Sequence, residues 1–103
     1  MKTKAMLMTA QQLLDAAQIV AARKKYYELA SNIDEYVEHS YTIDQLLQRT
    51  KESHGFYVVV LDEQWHNKLI QAIDEYIDEI TWDDTHSAIE TCKDLLNTVK
   101  AAQ

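Results

Sequence analysis

The chain has no proline and a single glycine, Gly55, in 103 residues. Hairpins and tight turns place Gly or Pro wherever the backbone needs a positive or a fixed φ, so a chain almost without them has few ways to reverse sharply. Helices joined by short polar links are what that leaves, and an all-α architecture is expected. Apolar residues make up 47% of the chain, with two Trp, six Tyr and one Phe, which supplies a core and argues against disorder. A single helical domain over residues 1–103 is expected, because two cores would not fit this length.

Helix signals follow one another along the chain. Thr9-Ala-Gln-Gln12 fits a capping box, in which hydroxyl and amide side chains satisfy free backbone groups at a helix start. Leu13, Ala17 and Val20 then form one apolar stripe, and Ile19, Ala22, Tyr26, Leu29, Ile33 and Val37 form a second, rotated one. These predict one long helix over about 10–38. A break near Ser31-Asn32 is the alternative, since Asn32-x-x-Glu35 also caps a helix. His39-Ser40-Tyr41 reads as a turn, and Thr42-Ile-Asp-Gln45 as the box opening a short helix over about 43–53, stopped by Gly55.

Asp62 reads as the cap of a helix over about 62–80, with Trp65, Leu69, Ile73, Tyr76, Ile77 and Ile80 on its buried face. Caps between Thr81 and Thr85 open a last helix over about 84–101, with Ile89, Cys92, Leu96 and Val99 inward. The sum is an antiparallel bundle of about four helices. Phe56-Tyr-Val-Val-Val-Leu61 is the one run with strong β propensity. Without a visible partner strand, an extended segment at 56–61 is expected; it is otherwise the start of the next helix, or a strand pairing with its copy in a homodimer.

The charge is −7, and it is unevenly spread. From Tyr26 to Gln48 there are five acids and no Lys or Arg, and from Leu69 to Cys92 seven acids and again none. Asp74/Asp78 and Glu75/Glu79 are like-charge pairs at i, i+4, which cost a helix about 0.2–0.5 kcal/mol each. Asp34, Glu35, Glu38, Asp74, Glu75, Asp78, Glu79, Asp83 and Asp84 are therefore the candidate partner-binding surface. The partner implied is another protein with a basic surface, such as a nucleic-acid groove that the acids would mimic or a cationic peptide. Direct nucleic-acid binding is disfavoured, because phosphate binders cluster Lys and Arg. IDEY occurs at 33–36 and again at 73–76, which reads as two amphipathic helices obeying one rule more readily than as a duplication.

No catalytic set, metal site or cofactor is expected. Asp34-Glu35-x-x-Glu38 and Glu75-x-x-Asp78 look like the two Mg²⁺-holding elements of the all-α nucleotide pyrophosphohydrolases, and that resemblance implies a Mg²⁺-dependent triphosphate hydrolase as the alternative. The interval between the two elements is wider than in that family. Glu63-x-x-His66 and Asp83-x-x-His86 have di-iron spacing but sit at helix starts, where acids cap. The four His lack zinc spacing, and one Gly forbids a phosphate loop. Arg23-Lys24-Lys25 reads as a solvated stripe. A lone Cys92, no apolar run near ~20 residues and no leader-like h-region point to a cytoplasmic protein without a membrane span. A self-associating structural component is the remaining class, and it leaves a homodimer open.

Overall fold

In the computed structural model, which describes residues 2–81 and 86–103 without the His86 side chain, the all-α expectation is corrected. The described elements are four helices and a three-stranded antiparallel sheet. They run β1 Thr3–Met8, α1 Ala10–Leu29, α2 Ile33–Gln48, β2 Thr50–Ser53, β3 Phe56–Asp62, α3 Glu63–Thr81 and α4 His86–Lys100. The sheet order is β1-β3-β2, with β3 central.

The strong β segment finds its partners inside the chain. Met6 faces Val59 across β1 and β3, and Thr50 faces the same Val59 from β2. Both edges of β3 are thus taken, which removes the strand-to-strand route to a homodimer through 56–61. Met6, Met8, Val59 and Leu61 point into the core, whereas Leu7 and Phe56 are exposed on the other face. That alternation was present in Thr3–Met8, but Lys, Ala and Met are weak strand formers. The expected helix over 43–53 ends at Gln48, and its last residues became β2. Gly55 does not stop a helix. With His54 it forms the two-residue hairpin turn between β2 and β3, at φ 52° and 85°, the positive-φ pair that a tight hairpin requires.

The long first helix is also corrected. Residue Ser31 takes φ 59°, and the chain reverses there into an αα-hairpin. Asn32 caps α2 by accepting from the Glu35 backbone N–H, and Thr9 and Gln12 form the full box ahead of α1. The predicted turn at His39-Ser40-Tyr41 lies inside α2. Thr42 does not cap; its hydroxyl donates to the Glu38 carbonyl one turn back, at 2.8 Å. Short hydroxyl side chains make this bond inside a helix as readily as a cap outside one, which is why the sequence misleads there.

One core joins sheet and helices. Ala16, Ile19 and Val20 of α1, Leu46 of α2, Leu69 and Ile73 of α3, and Cys92, Leu95, Leu96 and Val99 of α4 are buried with the inner face of the sheet. The stripes expected for α3 and α4 are the ones that pack. His66 is locked between them, its Nε2–H donating to the Val99 carbonyl at 2.7 Å. The two IDEY copies occupy unlike places: Ile33 opens α2 at 72% exposure, while Ile73 is fully buried in mid-helix.

Candidate functional site

The acids of α2 and α3 divide into two populations. Where the helices of the hairpin meet α3, Glu35, Glu38, Glu75 and Glu79 are bound by cations of the same chain. Arg23 of α1 is buried, not the solvated residue its neighbours suggest, and its guanidinium reaches Glu75 at 3.2 Å and Glu79 at 2.6 Å. The like charges at i, i+4 are thereby bridged. Lys68 lies 2.7 Å from Glu38 and 3.2 Å from Glu35. Gln71 joins the halves, donating to Glu35 at 3.3 Å and Glu75 at 3.1 Å while accepting from Lys68 at 2.9 Å. Tyr27 adds a hydrogen bond from its hydroxyl to Glu75 at 2.8 Å.

This network sets the ionisation of its members. Burial pushes the Glu75 carboxyl up, but hydrogen bonds from Tyr27 and Gln71 and the Arg23 charge outweigh it and hold the group below its ordinary 4.5. Burial pulls Lys68 down, and Glu38 and Glu35 more than reverse it. Arg23 is likewise raised against its burial by Tyr27, Glu75 and Glu79. The Tyr27 hydroxyl is raised by burial first and then by Glu75. All four stay in their neutral-pH forms, so the cluster is a structural tie between α1, α2 and α3.

The second population faces outward. Asp34, Asp74 and Asp78 are exposed, and none has a Lys or Arg nitrogen within the 4.0 Å ion-pair distance among the described residues. Asp83 and Asp84 lie outside the described residues, as does the expected start of the last helix at 84. Of the nine acids expected to form one surface, Glu35, Glu38, Glu75 and Glu79 are paired within the chain, and Asp34, Asp74 and Asp78 carry no ion pair among the described residues. The same cations bear on the hydrolase resemblance: Glu35, Glu38 and Glu75 do approach one seam, but ammonium, guanidinium and amide groups fill it, and Asp34 and Asp78 point to solvent. Among the described residues no group of three or more His, Cys, Asp or Glu could hold a metal ion.

The feature missed in the sequence is apolar. Of the stripe expected to be buried along a single helix, Ile19 is buried, but Tyr26, Leu29, Ile33 and Val37 are exposed, and Tyr41 and Leu47 continue Ile33 and Val37 on the outer face of α2. Leu29 is 77% exposed, Ile33 72%, Leu47 61%, Tyr41 53% and Val37 41%. In α2 this stripe lies opposite the buried His39, Thr42 and Leu46. Glu28, Asp34 and Asp44 are exposed beside it. A signal was available: α2 has two apolar stripes, and a helix in a small domain can bury only one.

Nucleophilic chemistry has little support. Cys92 lines a pocket of about 220 Å³ with Asp15, Ile19 and Tyr76. That is below the ~300 Å³ at which ligand sites begin. Burial first, and Asp15 second, push the thiol above its ordinary range, opposite to what an activated cysteine needs. Among the described residues, no helix is long and apolar enough to cross a membrane. No protein-family model, no curated protein and no solved structure matches this chain.

Proposed function

We propose that the protein is a small interaction module, an inhibitor, antagonist or accessory subunit, that binds a basic surface of another protein. One observation carries this reading. The outer face of α2 displays Ile33, Val37, Tyr41 and Leu47 beside Glu28, Asp34 and Asp44, none of which has a Lys or Arg nitrogen within 4.0 Å among the described residues. Apolar groups in water favour a partner that covers them. Unpaired acids at the rim favour a partner bringing Lys or Arg, and they speed its approach. Asp74 and Asp78 extend the negative field along α3. A single, buried, unpaired cysteine supports a reducing compartment such as the cytoplasm.

The test is capture on the immobilised protein, eluted with rising salt and compared with an Asp34→Lys/Asp44→Lys variant of unchanged thermal stability. Proteins held by the original chain, released by salt and absent from the variant are the expected result. An identical set retained by both would refute the reading.

A further inference from the structure

The outward residues of α2 recur with a defined spacing. Ile33, Val37, Ser40, Asp44 and Leu47 are separated by four, three, four and three positions, the interval at which a helix presents a seam to another helix. Four of the five are exposed, and Ser40 is half-buried with its hydroxyl already donating to the Tyr36 carbonyl at 2.9 Å. A small, satisfied side chain at the middle of a seam allows two helix axes to come close. At the N-terminal end a depression of about 370 Å³ lined by Tyr27, Glu28, Ile33, Tyr36 and Val37 gives a bulky side chain a seat.

We propose that the occupant of this seam is an amphipathic helix, supplied by the partner, whose apolar 3-4 repeat carries one Lys or Arg set against Asp44. This rests on the interaction reading above and names the partner's chemistry. Asp44 lies in the seam itself, between Val37 and Leu47, and no Lys or Arg nitrogen approaches it within 4.0 Å among the described residues. Covered by an apolar side chain, it would be desolvated without a counter-charge, which is costly. Covered by a cation, it fixes the register of the pair. Glu28 and Asp34 at the rim call for further basic residues on the flanks of the same helix. The α2 helix has 16 residues, about 24 Å of axis, so a partner segment of similar length fills it.

A second copy of the chain fits less well. Packed antiparallel about Ser40, it would set Ile33 against Leu47 and Asp44 opposite Tyr36, bringing Asp34 and Asp44 of both copies to one interface where each copy places Lys24, 5.3 Å over its Tyr36 ring, as a nearby cation. The acids still outnumber those cations, and like charges brought together this way oppose the contact.

The probe is a labelled, designed amphipathic peptide with Leu at the seam positions and Lys opposite Asp44 and on both flanks. A matched peptide carries Glu in place of every Lys. Fluorescence anisotropy is read at low and high salt. The Lys peptide is expected to bind and to weaken with salt. Asp44→Lys should weaken it about tenfold and let the Glu peptide bind instead. Val37→Lys should abolish binding, and Glu90→Lys, at an exposed position on α4, should leave it unchanged. Equal affinity for both peptides, no binding of the Lys peptide, indifference to Asp44→Lys, or a dimer mass by light scattering in the absence of peptide would each overturn the proposal. Salt-sensitive capture lost in Asp34→Lys/Asp44→Lys, with no peptide bound, would sink the helical partner alone. Capture indifferent to that variant sinks the broader reading.

Discussion

Arg23 of α1 and Glu79 of α3 lie 2.6 Å apart, nitrogen to oxygen, and the same guanidinium holds Glu75 one turn back. One buried cation thus pins two acids that would otherwise repel, and ties the hairpin to α3. Replacing it with the similarly long but neutral Met leaves Glu75 half-buried without its charge partner. Breaking a fully buried pair costs about 3–5 kcal/mol, and partial exposure of Glu75 reduces this to about 2–3 kcal/mol here. Urea unfolding of Arg23→Met should show that loss, and Glu75→Gln on the same background should recover part of it. A midpoint unmoved by Arg23→Met would mean that the network contributes nothing.

The network makes stability depend on pH at both ends. The Glu75 carboxyl is depressed below its ordinary 4.5, so the folded state favours its ionised form. Its contribution is complete above about pH 4.5 and is lost as pH falls through the lower folded value. Lys68 is raised above its ordinary 10.5. Its contribution is complete below that value and is lost as pH rises past it. Urea midpoints taken across the acid range should fall for the original chain and fall less steeply for Glu75→Gln.

Much of this fold was legible in the residues, and the failures share a cause. Leu69, Ile73, Cys92 and Val99 repeat at helical spacing on helices that bury one face, and their burial follows from periodicity alone. The strand Thr3–Met8 hid because most of its residues have low strand propensity and its partner positions, from Thr3↔Asp62 to Met8↔Tyr57, are 59 to 49 residues away. Pairing of that kind is not written locally. In the same way, Leu29, Ile33 and Val37 continue the stripe of Ile19 only if the helix continues. One positive-φ residue, Ser31, turned them outward. The charged site was half legible: the acids stood out, but Arg23 and Lys68 reach four of them through tertiary packing, which charge counting along the chain does not see.

The hairpin turn gives a sharper test of the sheet. Gly55 sits at φ 85° with nothing within 4 Å of a Cβ built there. Alanine therefore meets no steric neighbour, only the cost of a left-handed backbone, about 1–2 kcal/mol. His54 shares the positive φ, and Asn is at ease there. His54→Asn should stabilise by about 0.5 kcal/mol, and Gly55→Ala should destabilise. Equal midpoints for all three chains would contradict the hairpin.

Cys92 offers a check on the core. Its thiol is buried and held above its ordinary range, so little thiolate is present at neutral pH and little of that is reachable. An aromatic disulfide reagent should react with the native chain far more slowly than with the chain in urea. Rapid labelling of the native protein would place Cys92 at the surface and undo the packing of α4.

Adjacent leucines on α2 separate the two faces of the helix most directly. Leu46 is fully buried against the core, and Leu47 is 61% exposed on the proposed binding seam. Leu46→Ala removes packed methyl groups and should cost about 2–5 kcal/mol. Leu47→Ala removes atoms that water already reaches and should stay within about 0.5 kcal/mol. The effects invert for binding: Leu47→Ala should weaken the Lys peptide while the melting curve stays in place. If the two substitutions destabilise equally, α2 is rotated from the phase described, and the seam of Ile33, Val37, Asp44 and Leu47 does not face out.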